Sequence, residues 1–304
     1  MRRGAGESSG RLEETRLLPA QPTASIWAMS HPLLDRELIG DNPETYLAGI
    51  GDVFAVFGAR TQDSGNISYG IRIGDDRYFV KTAGDPDDPK PYLDHPARVA
   101  LLRNAALIAA RIVHPNLSAL RQVIESPTGP LLVYRWADGD LLHDRAGPDS
   151  AAARFTRLPV NTICAVLDSI YGLHELLAVD GWVAVDFYDG CLIYDFAADR
   201  VSVIDLDTYH RGPFTNEMGR MFGSSRFMAP EEFELGATID ERTTVFTMGR
   251  TALLYLCAGS LDPAAFRGPR RLFDVAVRAC NPQPDKRFGT VADFAAAWRA
   301  GRSL

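Results

Sequence analysis

The sequence has no uninterrupted apolar run near the roughly 20 residues that a membrane-crossing helix needs. Thr251–Ala258 is apolar but short, and reads as a buried helix. Arg2 and Arg3 are followed by no apolar core, so no secretory leader is expected. Cysteine is sparse. Cys164, Cys191, Cys257 and Cys280 lie far apart with no C-x-x-C pair, which argues against both a zinc site and a disulfide framework. Their use suits a reducing compartment, and a cytoplasmic location without a membrane partner is expected. Excess positive charge is also missing. The formal net charge of −7 argues against a dedicated nucleic-acid binder. There is no internal repeat.

The chain has 304 residues, of which 46% are hydrophobic, enough for two lobes or one large domain with a core of its own. Residues 1–28 are rich in Gly, Ser, Arg, Glu and Pro and are expected to be disordered, with Met29 as a plausible alternative start. A charged helix or strap is expected over Leu33–Leu47. Strands follow at Val53–Phe57, Ile67–Ile73 and Arg77–Lys81, with a hairpin turn at Gly74–Asp76. A long helix is predicted over Ala97–Val113, with Val99, Leu102, Ala106, Ala109 and Ala110 on one face. Two more strands are expected near Leu120–Ile124 and Leu131–Tyr134. From Asp138 onward the pattern is mostly helical. Strands followed by a helical half predict an α+β, two-lobed protein, divided into residues 29–136 and 137–304.

Several residues stand out chemically. Lys81 ends a strand, from which a lysine reaches nucleotide phosphates; taken alone, it reads better as a strand-edge lysine pointing to solvent. The turn Thr61–Ile67 precedes it and contains Gly65, which lets backbone N–H groups approach phosphates, although an ordinary hairpin explains it as well. Asp186 lies in a polar loop, suited either to orient a hydroxyl nucleophile or to cap backbone N–H groups. Asp205 and Asp207 flank Leu206 at a strand end. Asp205 suits magnesium, while Asp207 is either a second ligand or a turn residue. Glu231 and Arg287 are candidates for a buried bidentate ion pair with a structural role.

The ordered set, from about Asp52 to Trp298, resembles the protein kinase superfamily. Lys81 resembles the family's phosphate-binding lysine, and Asp186 its catalytic aspartate. Asp205-Leu206-Asp207 resembles the D-F-G stretch. Gly223–Glu231 resembles the loop reading G-T-x-x-Y-x-A-P-E, with Ser224 in the threonine's position, and Pro284-Asp-Lys-Arg-Phe288 completes the pattern. The resemblance implies a small, mostly antiparallel β lobe with one long helix and a larger, mainly helical lobe. It implies ATP with Mg2+ (or Mn2+) as cofactors. Adenine would lie against Tyr134, Arg135 and Ala137, with Gly65 and Lys81 toward the phosphates. The acceptor would be a protein hydroxyl. His174 would be a core histidine.

The departures from the family are specific. Ala184-Val185 replaces the His-Arg before the catalytic aspartate, and Tyr188 replaces a lysine. Cys191 replaces the metal-binding asparagine and is a poor magnesium ligand; Asp189, in the same loop, is the expected substitute. No glutamate between Ala97 and Val113 pairs with Lys81, and Asn104 sits near that turn. The aspartate that braces the catalytic loop is replaced around Thr244. Three functions therefore stay open. The first is a serine/threonine protein kinase. The second is an ATP-binding pseudokinase or scaffold, and the third is a small-molecule kinase acting on a hydroxyl substrate.

Overall fold

Alternating apolar and polar residues over 52–82 build three antiparallel strands, β1 (Asp52–Phe57), β2 (Ile67–Ile73) and β3 (Asp76–Thr82). The hairpin turn is two residues long, Gly74-Asp75, with Gly74 at φ 60°, and Asp76 already belongs to β3. Strands β4 (Leu120–Ile124) and β5 (Leu131–Arg135) complete a five-stranded antiparallel sheet ordered β1-β2-β3-β5-β4. The computed structural model describes residues 30–58, 64–88, 93–259 and 262–302. The expected disordered segment 1–28, and residues 61–63 of the expected phosphate turn, lie outside the described residues.

Each face of the sheet carries its own cover. On one face Tyr69, Ile71, Tyr78, Val80, Leu131 and Val133 pack with Leu33, Ile39 and Leu47. On the other, Leu132 and Ala83 pack with Leu102 and Ala105 of helix α2 (His95–Arg111). The split follows the period-two alternation of strands. Lys81 pairs with Leu132 across β3 and β5, so it projects toward α2.

Residues 33–47 are mainly strap rather than helix. Leu38 bridges Glu125, with Ile39 N donating to Glu125 O (2.9 Å) and Glu125 N to Glu37 O (2.8 Å). Helix α1 is confined to Pro43–Ile50, because Asn42 caps it by accepting from Glu44 N and Pro43 is preset for a first turn. Helix α2 begins two residues before its expected start, at His95, since Asp94 accepts from Ala97 N and Pro96 fits the first turn. It stops at Arg111, with Ile112 extended. Its buried face is Arg98, Leu102, Ala105 and Ile108; of the expected face, Leu102 is fully buried and Val99 and Ala106 pack partly buried against it, while Ala110 is exposed. A buried arginine is tolerable there because Arg98 donates to the carbonyls of Gly65, Ala83 (2.7 Å) and Asp85 (2.9 Å). Gly84, at φ 75°, is required at this crossing, since a Cβ would lie 2.1 Å from Gly65 O.

The chain from residue 138 onward is mainly helical. It holds α3 (Ala151–Thr156), α4 (Val160–Val179), α5 (Glu241–Cys257), α6 (Arg270–Ala279) and α7 (Val291–Arg302). Between them run short strands: β6 (Asp140–Leu141), β7 (Trp182–Val183), β8 (Leu192–Asp195), β9 (Arg200–Val203), β10 (His210–Arg211), β11 (Phe214–Thr215) and β12 (Thr238–Ile239). The described residues thus form an α+β structure with seven α-helices and antiparallel sheets, and Pro32–Leu304 is one compact unit.

Helix α4 is the axis of the helical core. By length and composition it is the one described helix apolar enough to cross a bilayer. Its apolar side is instead covered by protein: Ile163, Leu167, Ile170, Leu173 and Leu177 are buried with Trp298, Phe294 and Leu253. Each such side chain contributes about 1.5–3 kcal/mol when removed from water.

Glu231 and Arg287 meet in this region. Arg287 Nη1 donates to Glu231 Oε1 (2.6 Å) and Nη2 to Oε2 (2.8 Å), and both side chains are buried. Thr243 Oγ1 donates to the same carboxylate (2.8 Å), while Arg287 also donates to the carbonyls of Asn281 and Arg242. The pair ties the Pro230–Phe233 turn to the start of α5 and to the turn before α7. Truncation of one partner strands a buried charge. Glu231→Ala is therefore expected to lower unfolding free energy by about 3–5 kcal/mol in urea denaturation; an unchanged midpoint would contradict this account.

Candidate functional site

Lys81 is the point where the sheet reaches the loop that follows β9. Its ammonium donates to Asp205 Oδ1 (2.5 Å) and Asp207 Oδ2 (2.7 Å). The lysine is 12% exposed, Asp207 9% and Asp205 44%. Burial alone depresses the Lys81 pKa, but the two carboxylates outweigh it and hold the ammonium charged. Burial, and then repulsion by Asp205, raise the Asp207 carboxyl despite the opposing pull of Lys81. Burial also opposes ionisation of Asp205, yet Lys81 leaves it below the usual range. The environments therefore separate two neighbouring acids. Asp205 is the more accessible and stays ionised, and Asp207 is the lysine's buried partner.

Helix α2 serves this loop through Asn104. Its amide donates to Asp207 O (2.8 Å) and Tyr209 O (2.7 Å). The loop supplies the carboxylates for Lys81, and Asn104 supplies the link from helix to loop. Tyr134, on the same sheet face as Leu132 and Lys81, is half-buried. Burial raises its phenol pKa, and Lys81, Asp207 and Asp205 are the charges that act on it. Arg135 ends β5 exposed, and Ala137 follows half-buried. Between them, Trp136 N donates to Arg77 O (3.0 Å). Gly65 adopts φ 82°, and its carbonyl is held by Arg98.

Asp186 lies in the loop after β7, half-buried, with φ 57°; Asp205 has φ 63°. They are two of the four described non-glycine residues at positive φ, the others being Asp199 and the α5 C-cap Ala258, and such positions are over-represented at working sites. Threonines hold the approach to Asp186. Ala184 N donates to Thr244 Oγ1 (2.9 Å), and Thr208 Oγ1 donates to Val185 O (2.8 Å). Thr244 thus braces this loop through a neutral hydroxyl. The Cys191 thiol is buried and donates to Asp186 O (3.4 Å), with Asp205 O at 3.9 Å. Burial, and the charges of Asp205 and Asp186, push its pKa well up, so it bridges the two loops as a neutral thiol.

Asp189 is engaged elsewhere. Fully buried, it accepts from Arg145 Nη2 and Arg226 Nη1 at Oδ2 (both 2.8 Å), and faces His143 Nδ1 at Oδ1 (3.0 Å). A cation bound there would have to displace two guanidinium groups. Asp205, with Asp207 behind it, fits a magnesium that takes one or two carboxylates and completes its shell with phosphate oxygens. Among the described residues there is no group of three or more His, Cys, Asp or Glu side chains arranged for a metal.

Ser224 accepts at its carbonyl from Phe227 N (2.8 Å) and Met228 N (3.3 Å), which closes the loop into a turn. Gly223, at φ 130°, lies against Asp186: a Cβ there would sit 3.4 Å from Oδ1. His174 is buried, with Nδ1 facing Ile170 O and Nε2 facing Tyr209 Oη (both 2.8 Å). Burial pushes its pKa down to about 4, so it remains a neutral core residue. The residues that sequence reasoning missed are Arg98, the His143/Arg145/Arg226 cluster and Glu232. Each is named by what surrounds it in space, and no local motif marks it. Compared with known proteins, the chain matches no family model and no curated sequence.

Glu232 is 3% exposed and accepts from Ala229 N (2.6 Å). Burial pushes its carboxyl up to about 8; the Ala229 N–H opposes the rise and the Glu231 charge adds to it. The unfolded chain releases this proton near 4.5, well before the folded one. Its contribution to stability is therefore complete below that pH and is lost as pH rises through the folded value. Glu232→Gln is expected to flatten the fall in melting temperature between about pH 5 and 8. Parallel curves for the two proteins would refute the assignment.

Proposed function

We propose that this chain is an ATP-dependent phosphotransferase with a two-lobed, protein kinase-like arrangement, acting on serine or threonine hydroxyls of a protein. The observation that carries the reading is the Lys81 bridge to Asp205 and Asp207, across 124 and 126 residues, beside the thiol-linked Asp186 loop. A lysine, an accessible ionised carboxylate and a second carboxylate in a strained polar loop are the set that phosphoryl transfer requires.

Bound ATP with Mg2+ (or Mn2+) would supply the γ-phosphoryl group and a counter-charge for its oxygens. Asp205 would hold the cation, with Asp207 as the second carboxylate. Lys81 would hold phosphate oxygens, with Asp207 keeping its ammonium oriented. Tyr134, Arg135 and Ala137 would lie toward the adenine, and Gly65 toward the phosphates. Asp186 accepts a hydrogen bond from the acceptor hydroxyl, orients it for in-line attack and takes its proton. The Ser224 loop, anchored through Glu231 and Arg287, receives the acceptor chain. Such a loop favours a peptide over a small molecule.

A second reading has an observation of its own. Asp189 is held by two arginines, and Cys191 is a buried neutral thiol. That leaves the cation fewer ligands than an ordinary kinase offers, which suits a nucleotide-binding module without turnover.

Transfer of labelled γ-phosphate to a generic basic protein and to the chain itself separates the two. Asp186→Asn is expected to lower transfer at least about a hundredfold with unchanged melting temperature, and Asp205→Ala to lower transfer to a similar degree with some loss of melting temperature, because Lys81 keeps only Asp207 as its carboxylate partner. Wild-type turnover in either variant would overturn the assignment. A thermal shift with ATP but no transfer by the wild type would favour the module without turnover.

A further inference from the structure

Arg145 and Arg226, the two arginines that hold Asp189, line a cavity of about 340 Å3 together with Ala153, Thr156 and Leu254. Arg145 and Arg226 both face it, with side chains 46% and 30% exposed. Asp189 beneath them is fully buried and takes one N–H group from each. A guanidinium has five N–H groups, so most donors of both arginines remain for other acceptors. One carboxylate against two guanidiniums also leaves net positive charge at the wall, on a chain whose overall charge is −7. Arg250 fixes the backbone here, its Nε donating to Arg226 O (3.0 Å). Neither nearby acid lines the cavity: Asp149 is exposed and pairs with Arg157 (3.8 Å), and the Asp144 carboxylate accepts from Ala146 N (3.0 Å).

The cavity's position is tied to the reacting side of the molecule. Asp189 follows Asp186 by three residues in one loop. Arg226 follows Gly223, which packs against the Asp186 carboxylate, by the same interval. An extended chain advances about 3.3–3.6 Å per residue. Three residues span at most about 11 Å, so the backbone of Asp189 and Arg226 lies within a few residues' length of an acceptor hydroxyl at Asp186.

We infer that this cavity is an acceptor subsite for an anionic side chain (glutamate, aspartate or a phosphorylated residue) held by Arg145 and Arg226. The inference deepens the phosphotransferase reading and rests on it for the identity of the acceptor. The recognising chemistry is charge-assisted, fork-like hydrogen bonding to carboxylate or phosphate oxygens.

The test measures binding first, without nucleotide. Three fluorescein-labelled decapeptides share one central serine and carry glutamate, phosphoserine or glutamine within four residues of it. Anisotropy titrations against the whole chain are expected to show at least one anionic peptide binding about tenfold or more tighter than the glutamine peptide. The tighter of the two identifies carboxylate or phosphate as the preferred group. Arg145→Met should remove the preference and Arg145→Lys should retain part of it. Ala153→Glu, which leaves the Asp189 cluster intact but sets a negative charge in the cavity, should also abolish it. Equal binding of all three peptides, no binding of any, or a preference that survives Arg145→Met and Ala153→Glu would overturn the inference. Labelled ATP with magnesium is then added to the same mixtures. Anionic preference without label transfer would leave the subsite standing and sink the phosphotransferase reading. Label transfer without preference would do the reverse.

Discussion

One buried ammonium organises the centre of this protein. Lys81 stands on the α2-facing side of the sheet and draws Asp205 and Asp207 toward it from the helical part of the chain. A lysine this buried is stable only with carboxylates at hydrogen-bond distance, because burial alone favours its neutral form. The constraint acts in the other direction too: the loop after β9 has to deliver both acids to one point. Asp205 reaches its position with a left-handed backbone, and Asn104 holds the carbonyls of Asp207 and Tyr209.

The surrounding polar network follows the same logic of mutual support. Thr244 and Thr208 hold the segment before Asp186, and Cys191 bridges the Asp186 and Asp205 loops. None of these groups carries charge, so the site keeps its shape without further buried ions. The charged braces lie around it: Glu231 with Arg287, and Asp189 with Arg145 and Arg226. In the first, one guanidinium meets one carboxylate and charge is balanced. In the second, two guanidiniums meet one carboxylate, and the excess faces a cavity. That difference is why one reads as a structural clasp and the other as a place for an anion.

Much of this architecture was legible in the chain's local pattern. Alternation over residues 52–82 and 120–135 specified the strands, because a sheet with both faces covered segregates its side chains at period two. Helix α2 was legible as a helix, but its ends and part of its buried face were not. Asp94 and Pro96 set the start through capping, which an apolar-periodicity reading overlooks. Arg98 joined the buried face because three carbonyls from another part of the chain satisfy it. Residues 33–47 read as a helix or strap, and the strap prevailed where Glu125 offered a backbone partner.

The candidate site divides in the same way. The amino-acid sequence by itself determined which acids and bases exist, their order along the chain and the glycines that let the backbone turn; these are properties of adjacent residues. The partner of each charge was decided only in the folded chain. Asp207 became the lysine's partner, Asp189 was taken by arginines 44 and 37 residues away, and Glu232 was buried deeply enough to resist ionisation. The reason is physical. Ionisation and pairing depend on distance and on exclusion of water, and both are set by how remote segments pack.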